Sequence, residues 1–316
     1  MQDYIKAGFT ALIVVLIVLP FLIPALRRLK FGQIVREDGP GSHLSKTGTP
    51  TMGGIVFVLA LPAAMLAAGG HSTEGLLMIF QVTAMGALGF LDDYLKIRNQ
   101  HSEGLTARQK FIGQLAIAFL FSAALWRMKG GTVWAPFIDR SFNLGLFYIP
   151  LAMLVVAATV NGVNFTDGID GLCSGVTFLV AIAFLLLCRA WRLTGLTWCA
   201  GALAGACLGF LLFNLHPAKI FMGDTGSLAL GGGVAALALI SGTELLLPLV
   251  GIIYVAEVSS VILQVGFFRI SGGKRLFRMS PVHHHFELGG WDEGTVDIVF
   301  WLTTALAALA FLWILL

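Results

Sequence analysis

Apolar stretches of about 20 residues recur along the chain between short polar segments, a pattern that predicts a bundle of membrane-spanning helices. A run of that length crosses a hydrocarbon core of roughly 30 Å at 1.5 Å per residue. Ten runs are read, at roughly Gly8–Leu26, Met52–Ala68, Leu76–Leu91, Phe111–Trp126, Leu146–Val160, Leu172–Cys188, Leu196–Phe213, Ser227–Ile240, Leu245–Phe268 and Val296–Leu316. The expected fold is all-α and polytopic, one integral membrane domain over residues 1–316 with about ten transmembrane helices and no stretch left for a soluble domain. Pro20 and Pro24 are expected to kink the first run. Arg127–Gly145 carries glycines and alternating polar residues that predict a small external hairpin. No internal repeat of the transporter kind is visible.

Composition agrees with that class. Only 12% of residues are charged, 57% are hydrophobic, and the mean hydropathy is +0.88. These values exclude an ordinary soluble domain. The net charge of +3 is modest and suggests no nucleic-acid partner. Placement of the charges is more informative. The first run is followed by Arg27, Arg28 and Lys30, the reverse of a cleaved signal peptide, so it is read as a retained span whose C-terminal end is cytoplasmic. Most of the 20 Lys and Arg residues then fall in odd-numbered loops, which makes those loops cytoplasmic and both termini extracytoplasmic. Cys173, Cys188, Cys199 and Cys207 lie in or beside apolar runs without metal-ligand spacing, and are read as small packing residues.

The odd loops also carry the unusual chemistry: Lys46–Gly54 (KTGTPTMGG), Leu91–Lys96 (LDDYLK), Asn161–Leu172 (NGVNFTDGIDGL), Phe213–Ser227 (FNLHPAKIFMGDTGS) and Pro281–Glu287 (PVHHHFE). Polar clusters confined to one side point to one site in the cytoplasmic loops. Asp92 and Asp93 end an otherwise uncharged run. Burying a carboxylate in lipid costs roughly 2.5–3.5 kcal/mol on insertion scales, so a pair there is either a solvated membrane-exit cap or chemistry. Asp167 and Asp170 are three apart, on one face of a helical turn, among glycines that admit close backbone approach. A plain connecting turn needs one Asp-Gly, and this loop has two. Asp224 stands between Gly223 and Gly226, where backbone amides could bind phosphate oxygens while the carboxylate holds Mg²⁺; an N-cap role is compatible with both.

His283, His284 and His285 cannot all face one metal from a regular element, and no HExxH spacing occurs, so anionic oxygens suit that loop better than zinc. Its arginines alone also suit anionic lipid headgroups. No Walker A sequence is present. Glu257 lies within a span, as either a functional carboxylate or a protonated packing group, and is left unassigned.

Carboxylates able to hold Mg²⁺, phosphate-binding glycines and a basic loop suit phosphoryl transfer between a soluble and a lipid-borne phosphate. In their order, these motifs resemble the polyprenyl-phosphate N-acetylhexosamine-1-phosphate transferase superfamily over nearly the whole chain. Asp92-Asp93 and the Asp-Gly motifs are those of the superfamily. Ser280–Glu287 (SPVHHHFE) and Thr49–Gly54 (TPTMGG) are similar to its phospho-N-acetylmuramoyl-pentapeptide transferase branch.

That resemblance implies a bacterial inner-membrane enzyme of peptidoglycan synthesis that transfers phospho-MurNAc-pentapeptide from UDP-MurNAc-pentapeptide to undecaprenyl phosphate. The products would be lipid I and UMP, with Mg²⁺ as cofactor. It implies Asp92, Asp93 and Asp224 as catalytic residues, the pair supplying the base that deprotonates the lipid phosphate and Asp224 binding Mg²⁺. Lys46, Asn164, Asp167, Phe221, Gln264 and His283 would line the nucleotide-sugar pocket, with Phe221 stacking on uracil. Thr51, Lys96, Lys110, Asp170, His284 and His285 would lie nearby. Membrane lipid is an expected partner, and a homodimer is left open. The competing readings are a sister transferase moving GlcNAc-1-phosphate and, from another class, an ion-coupled transporter using Asp92, Asp93 and Glu257 as a relay.

Overall fold

The computed structural model describes residues 3–29, 31, 46, 48–68, 72–99 and 104–316. Lys30 and Thr47 of the sequence reading lie outside the described residues. The helices are α1 (Asp3–Arg28), α2 (Ile55–Ala67), α3 (Thr73–Asn99), α4 (Ala107–Lys129), α5 (Tyr148–Thr166), α6 (Leu172–Ala190), α7 (Thr194–Asn214), α8 (Gly223–Ser241), α9 (Leu247–Val250), α10 (Ile252–Ile270), α11 (Val282–Glu287) and α12 (Glu293–Leu315). Between α4 and α5, β1 (Thr132–Ala135) pairs antiparallel with β2 (Arg140–Asn143), which is the expected hairpin. The protein is an all-α polytopic membrane protein, with nine described helices long and apolar enough to cross a bilayer. The four cysteines are free and buried, as packing residues should be.

Three expectations need correction. The second run yields only α2, whose 13 residues make about 20 Å, short of a hydrocarbon core. Its first residues are apolar but not helical: Gly53 N–H donates to Phe221 O and Gly54 N–H to Met222 O, so Met52–Gly54 is a segment laid against residues 221–222. The ninth run is broken near its start, where a 3₁₀ turn at Glu244–Leu246, the single turn of α9 and Gly251 precede α10. The third run does not stop at Leu91; α3 continues through Asp92 and Asp93 to Asn99. In α1, helical structure persists through Pro20 and Pro24.

Helix ends follow local sequence rules. Thr106 and Gln109 form a capping box at the start of α4, and the Asp292 carboxylate accepts Thr295 N–H at 2.7 Å to cap α12. At the centre, α8 packs against α3 and α5, while α1 packs on α7, α7 on α6, and α12 on α6. Small and aliphatic residues on all sides of α8 suit this position, since a helix apolar all round belongs inside. The C-terminal end of α3 and of α5 meet the N-terminal end of α8 at one pole, and the polar motifs gather there.

Candidate functional site

Asp93 ties the central helices together. Its Oδ1 accepts Asp224 N–H at 3.1 Å, and its Oδ2 accepts Thr225 N–H at 2.9 Å and Thr225 Oγ1 at 2.7 Å. A carboxylate from α3 therefore caps the start of α8, where unpaired amides and the helix dipole favour negative charge. Neighbouring Asp92 accepts Leu105 N–H on Oδ1 at 2.8 Å and faces the Lys96 ammonium at 2.6 Å through Oδ2. These two carboxylates are only 2% and 4% exposed, which rules out a solvated exit cap.

Asp224, on the first turn of α8, completes the cluster. Its Oδ2 is bridged by Lys96 and by Lys110 at 3.0 Å, and its Oδ1 accepts Asn164 Nδ2 at 2.6 Å. Asn164 also donates to Ser227 Oγ at 2.7 Å and faces Lys110 at 3.4 Å. Oxygens of Asp92, Asp93 and Asp224 lie within 4.8 Å of one another, a grouping that could hold a metal ion. All-oxygen, charged ligands of this kind are the preference of a hard divalent cation such as Mg²⁺. Three carboxylates against two ammonium groups leave the centre with a negative balance, so a cation fits the residues present.

A second group forms around Asp170. Lys46 bridges Asp170 at 2.8 Å and Glu293 at 2.7 Å, and His216 Nδ1 lies 3.1 Å from Asp170 Oδ2. Glu293 also accepts the backbone N–H of Asp170 at 3.2 Å, and Asn214 accepts that of Gly171 at 3.1 Å. Between the two groups sits Asp167, on the connection from α5 to α6. Burial first, then the Asp224 and Asp93 carboxylates, hold its carboxyl well above the usual range.

The three consecutive histidines take three different partners, though the His283 and His284 rings pack 4.1 Å apart. His283 is buried with Nδ1 3.1 Å from Glu257, His284 faces Glu287 at 2.6 Å, and His285 Nδ1 accepts Arg278 N–H at 3.1 Å. Glu257, unassigned from sequence, is thus the partner of His283. Gln264 accepts Leu276 and Phe277 N–H at 3.0 and 2.9 Å and donates to Phe277 O, so in this structure it pins the α10–α11 loop.

The TPTMGG segment holds the Asp224 loop in place. Phe221 N–H donates to Pro50 O at 2.8 Å and its carbonyl accepts Gly53 N–H at 2.9 Å, leaving the ring half-buried. A Cβ on Gly54 would fall 2.1 Å from Gly226 Cα, so only glycine allows this approach. Thr51 lies beside Gly223, its hydroxyl 3.0 Å from where a Cβ would stand.

All five odd-loop motifs therefore converge: Lys46–Gly54 on residues 170 and 220–226, the aspartate pair on Asp224, the Asp-Gly loop on His283 and Glu293. Sequence reading singled out neither Thr225, Ser227, His216 nor Glu293. Glu293 had one legible sign, an acidic residue at the mouth of an apolar run; the others had none beyond lying in motif stretches.

Comparison with known proteins gives concordant findings. The model for glycosyl transferase family 4 matches residues 76–242, and signature 1 of the phospho-N-acetylmuramoyl-pentapeptide-transferases matches residues 46–58. Proteins named phospho-N-acetylmuramoyl-pentapeptide-transferase are similar throughout. That of Heliobacterium modesticaldum is 48% identical over 98% of this chain and 96% of its own. Those of Moorella thermoacetica and Clostridioides difficile are 46% identical (100% and 99% covered) and 45% identical (95% and 95%).

Proposed function

The chain belongs to the phospho-N-acetylmuramoyl-pentapeptide-transferase family, and from that premise we infer how its polar pole carries out the reaction. It is a multi-pass bacterial inner-membrane transferase of peptidoglycan synthesis, acting between a nucleotide-sugar and a lipid carrier. We take the donor to be UDP-MurNAc-pentapeptide and the acceptor to be undecaprenyl phosphate. An oxygen of the lipid phosphate attacks the sugar-bound phosphorus, the phosphoanhydride to UMP breaks, and a new phosphoanhydride to the lipid forms. One anhydride replaces another, so no ATP is required.

The observation that carries this reading is the meeting of Asp92, Asp93 and Asp224 with Lys96 and Lys110 at one end of the helix bundle. Mg²⁺ held by Asp224 would neutralise charge on the donor's phosphates. Lys96 and Lys110 are placed to screen the repulsion between two anionic substrates. Within the pair, Asp92 is the better candidate for the base that takes the proton from the lipid phosphate. Asp93 has both oxygens committed to the start of α8, whereas the Oδ2 of Asp92 faces the Lys96 ammonium.

On this reading Lys46, Asn164, Asp167 and Asp170 border the donor site, with the Phe221 ring available for uracil. Thr51 and His283 brace that border, and Gln264, His284 and His285 shape the adjoining loop. The pole faces the cytoplasm, where the donor is soluble.

The test is purified protein with Mg²⁺, undecaprenyl phosphate and either UDP-MurNAc-pentapeptide or UDP-GlcNAc. Lipid-linked product and UMP from the first donor alone support the reading. Product from UDP-GlcNAc alone would make the chain a sister transferase.

A further inference from the structure

A fully buried histidine, its ring packed 4.1 Å from that of His284, turns its two nitrogens toward different elements. His283, on α11, is 0% exposed, and its Nδ1 lies 3.1 Å from Oε1 of Glu257 on α10, also 0% exposed. Its Nε2 has no hydrogen-bond partner among the described residues. That nitrogen is pressed against the α5–α6 connection: a Cβ on Gly168 would stand 2.1 Å from it.

A carboxylate oxygen accepts a hydrogen bond from a ring N–H, and the contact between Nδ1 and Glu257 holds the plane of the ring. A buried nitrogen without a partner is costly to keep, which calls for a use that outweighs the penalty. The ring edge touches the backbone next to Asp167, the carboxyl that neighbours Asp93 and Asp224 closely enough to feel their charge. Glu257 was legible in sequence only as a carboxylate inside a span; through His283 it belongs to the polar pole.

We propose that Glu257 is a positioning residue for the transfer reaction: by orienting the buried His283 imidazole against Gly168, it fixes the turn that offers Asp167 to the nucleotide-sugar donor. The dyad touches no reacting atom. It acts on donor recognition and leaves the acceptor side alone. The inference rests on the transferase reading given above.

Five variants test it: Glu257→Leu, Glu257→Gln, Gly168→Ala, His283→Ala, and Gly168→Ala combined with His283→Ala. The readouts are KM for UDP-MurNAc-pentapeptide, KM for undecaprenyl phosphate, kcat and the thermal midpoint in detergent. Glu257→Leu removes the acceptor and should raise donor KM by about tenfold or more while acceptor KM stays within about twofold. Glu257→Gln retains an acceptor oxygen and should keep donor KM within about threefold of wild type. Gly168→Ala drives a methyl into the imidazole and should reproduce the donor defect with both dyad residues intact. Removing the ring then removes the clash, so the double variant should be no worse than His283→Ala alone.

Glu257→Leu that lowers only the thermal midpoint, with both KM values unchanged, would make the pair merely structural and end the proposal. So would a neutral Gly168→Ala, or a Glu257→Gln as damaged as the leucine. Wild type that fails to use UDP-MurNAc-pentapeptide would instead remove the transferase reading, and an active wild type with unresponsive variants would remove only the dyad's role.

Discussion

Asp93 caps the helix that carries Asp224, accepting three hydrogen bonds from its first turn. The two carboxylates are therefore not equivalent members of an acidic cluster; one sets the place of the other. Asp93→Asn leaves an amide group facing N–H donors, and hydrogen bonds to charged groups contribute about 1.5–3 kcal/mol each. The expected outcome is a lower thermal midpoint together with loss of turnover. Asp92→Asn should lose turnover with a midpoint close to wild type, because among the described residues its carboxylate holds Leu105 N–H and Lys96 and caps no helix start. Thermal unfolding of both variants beside kcat separates the roles; equal midpoints would place Asp93 outside the framework.

Magnesium dependence separates Asp92 from Asp224. Losing a ligand weakens metal binding, which mass action can offset, whereas losing a base cannot be offset by metal. Asp224→Asn should regain part of its turnover at high Mg²⁺, and Asp92→Asn should not. Titration of turnover with Mg²⁺, with donor binding measured alongside, gives the answer. Identical responses would favour a centre in which the aspartates share the ion.

Long apolar runs are legible because length and composition decide whether a helix can cross a bilayer, and the hairpin is legible because its glycines and alternating residues are local. Two boundaries were obscured by the same measure. Met52–Gly54 reads as apolar, yet its backbone is engaged by residues 221–222, more than 160 positions away in sequence. Asp92 and Asp93 read as the end of a run, yet Tyr94–Ile97 continue the helix because the carboxylates are satisfied by α8 and Lys96 instead of by water. The motif residues of the site were visible, while their partners were not. Nothing in local spacing connects Glu257 to His283, or Lys46 to Glu293, since only the packed helices bring them within reach.

Glycine substitution should discriminate contact from propensity. Gly54→Ala puts a methyl onto the backbone of Gly226, 2.1 Å away, and overpacking of this kind costs about 1–3 kcal/mol. It should also lower turnover by displacing the Asp224 loop. Gly266 lies inside α10 with nothing within 4 Å of an added Cβ, so Gly266→Ala should stabilise by up to about 1 kcal/mol through helix propensity. Thermal midpoints of the pair, moving in opposite directions, check this.

The proposed orientation places the α10–α11 loop in the cytoplasm and the β1–β2 hairpin outside. In a chain lacking its native cysteines, Ser141→Cys should react with an impermeant thiol reagent in intact cells. Ser271→Cys should react only after the membrane is opened. The reverse pattern would invert the topology and put the pole on the wrong side for a soluble nucleotide donor.

The last prediction concerns Asp167, whose carboxyl is held above its ordinary value by burial and by the Asp224 and Asp93 charges. In the window between the unfolded value, near 3.8, and the raised folded value, the native state binds this proton more tightly than the unfolded chain. The stability contributed by Asp167 is therefore fully present below the unfolded value and is lost as pH rises through the folded one. Above the unfolded value the fold must either hold this proton or bury the charge, and the retention of that burden is explained by the proposed role at the donor site. Asp167→Asn removes the burden and the function together. The variant should gain a few degrees in thermal midpoint at pH 7, lose most donor binding, and show no gain at the acidic end of the range. The wild-type-minus-variant difference in midpoint across pH isolates this group from the other carboxylates. A difference that stays flat with pH would mean that Asp167 is not the strained group, and that its place beside Asp93 and Asp224 costs the fold nothing.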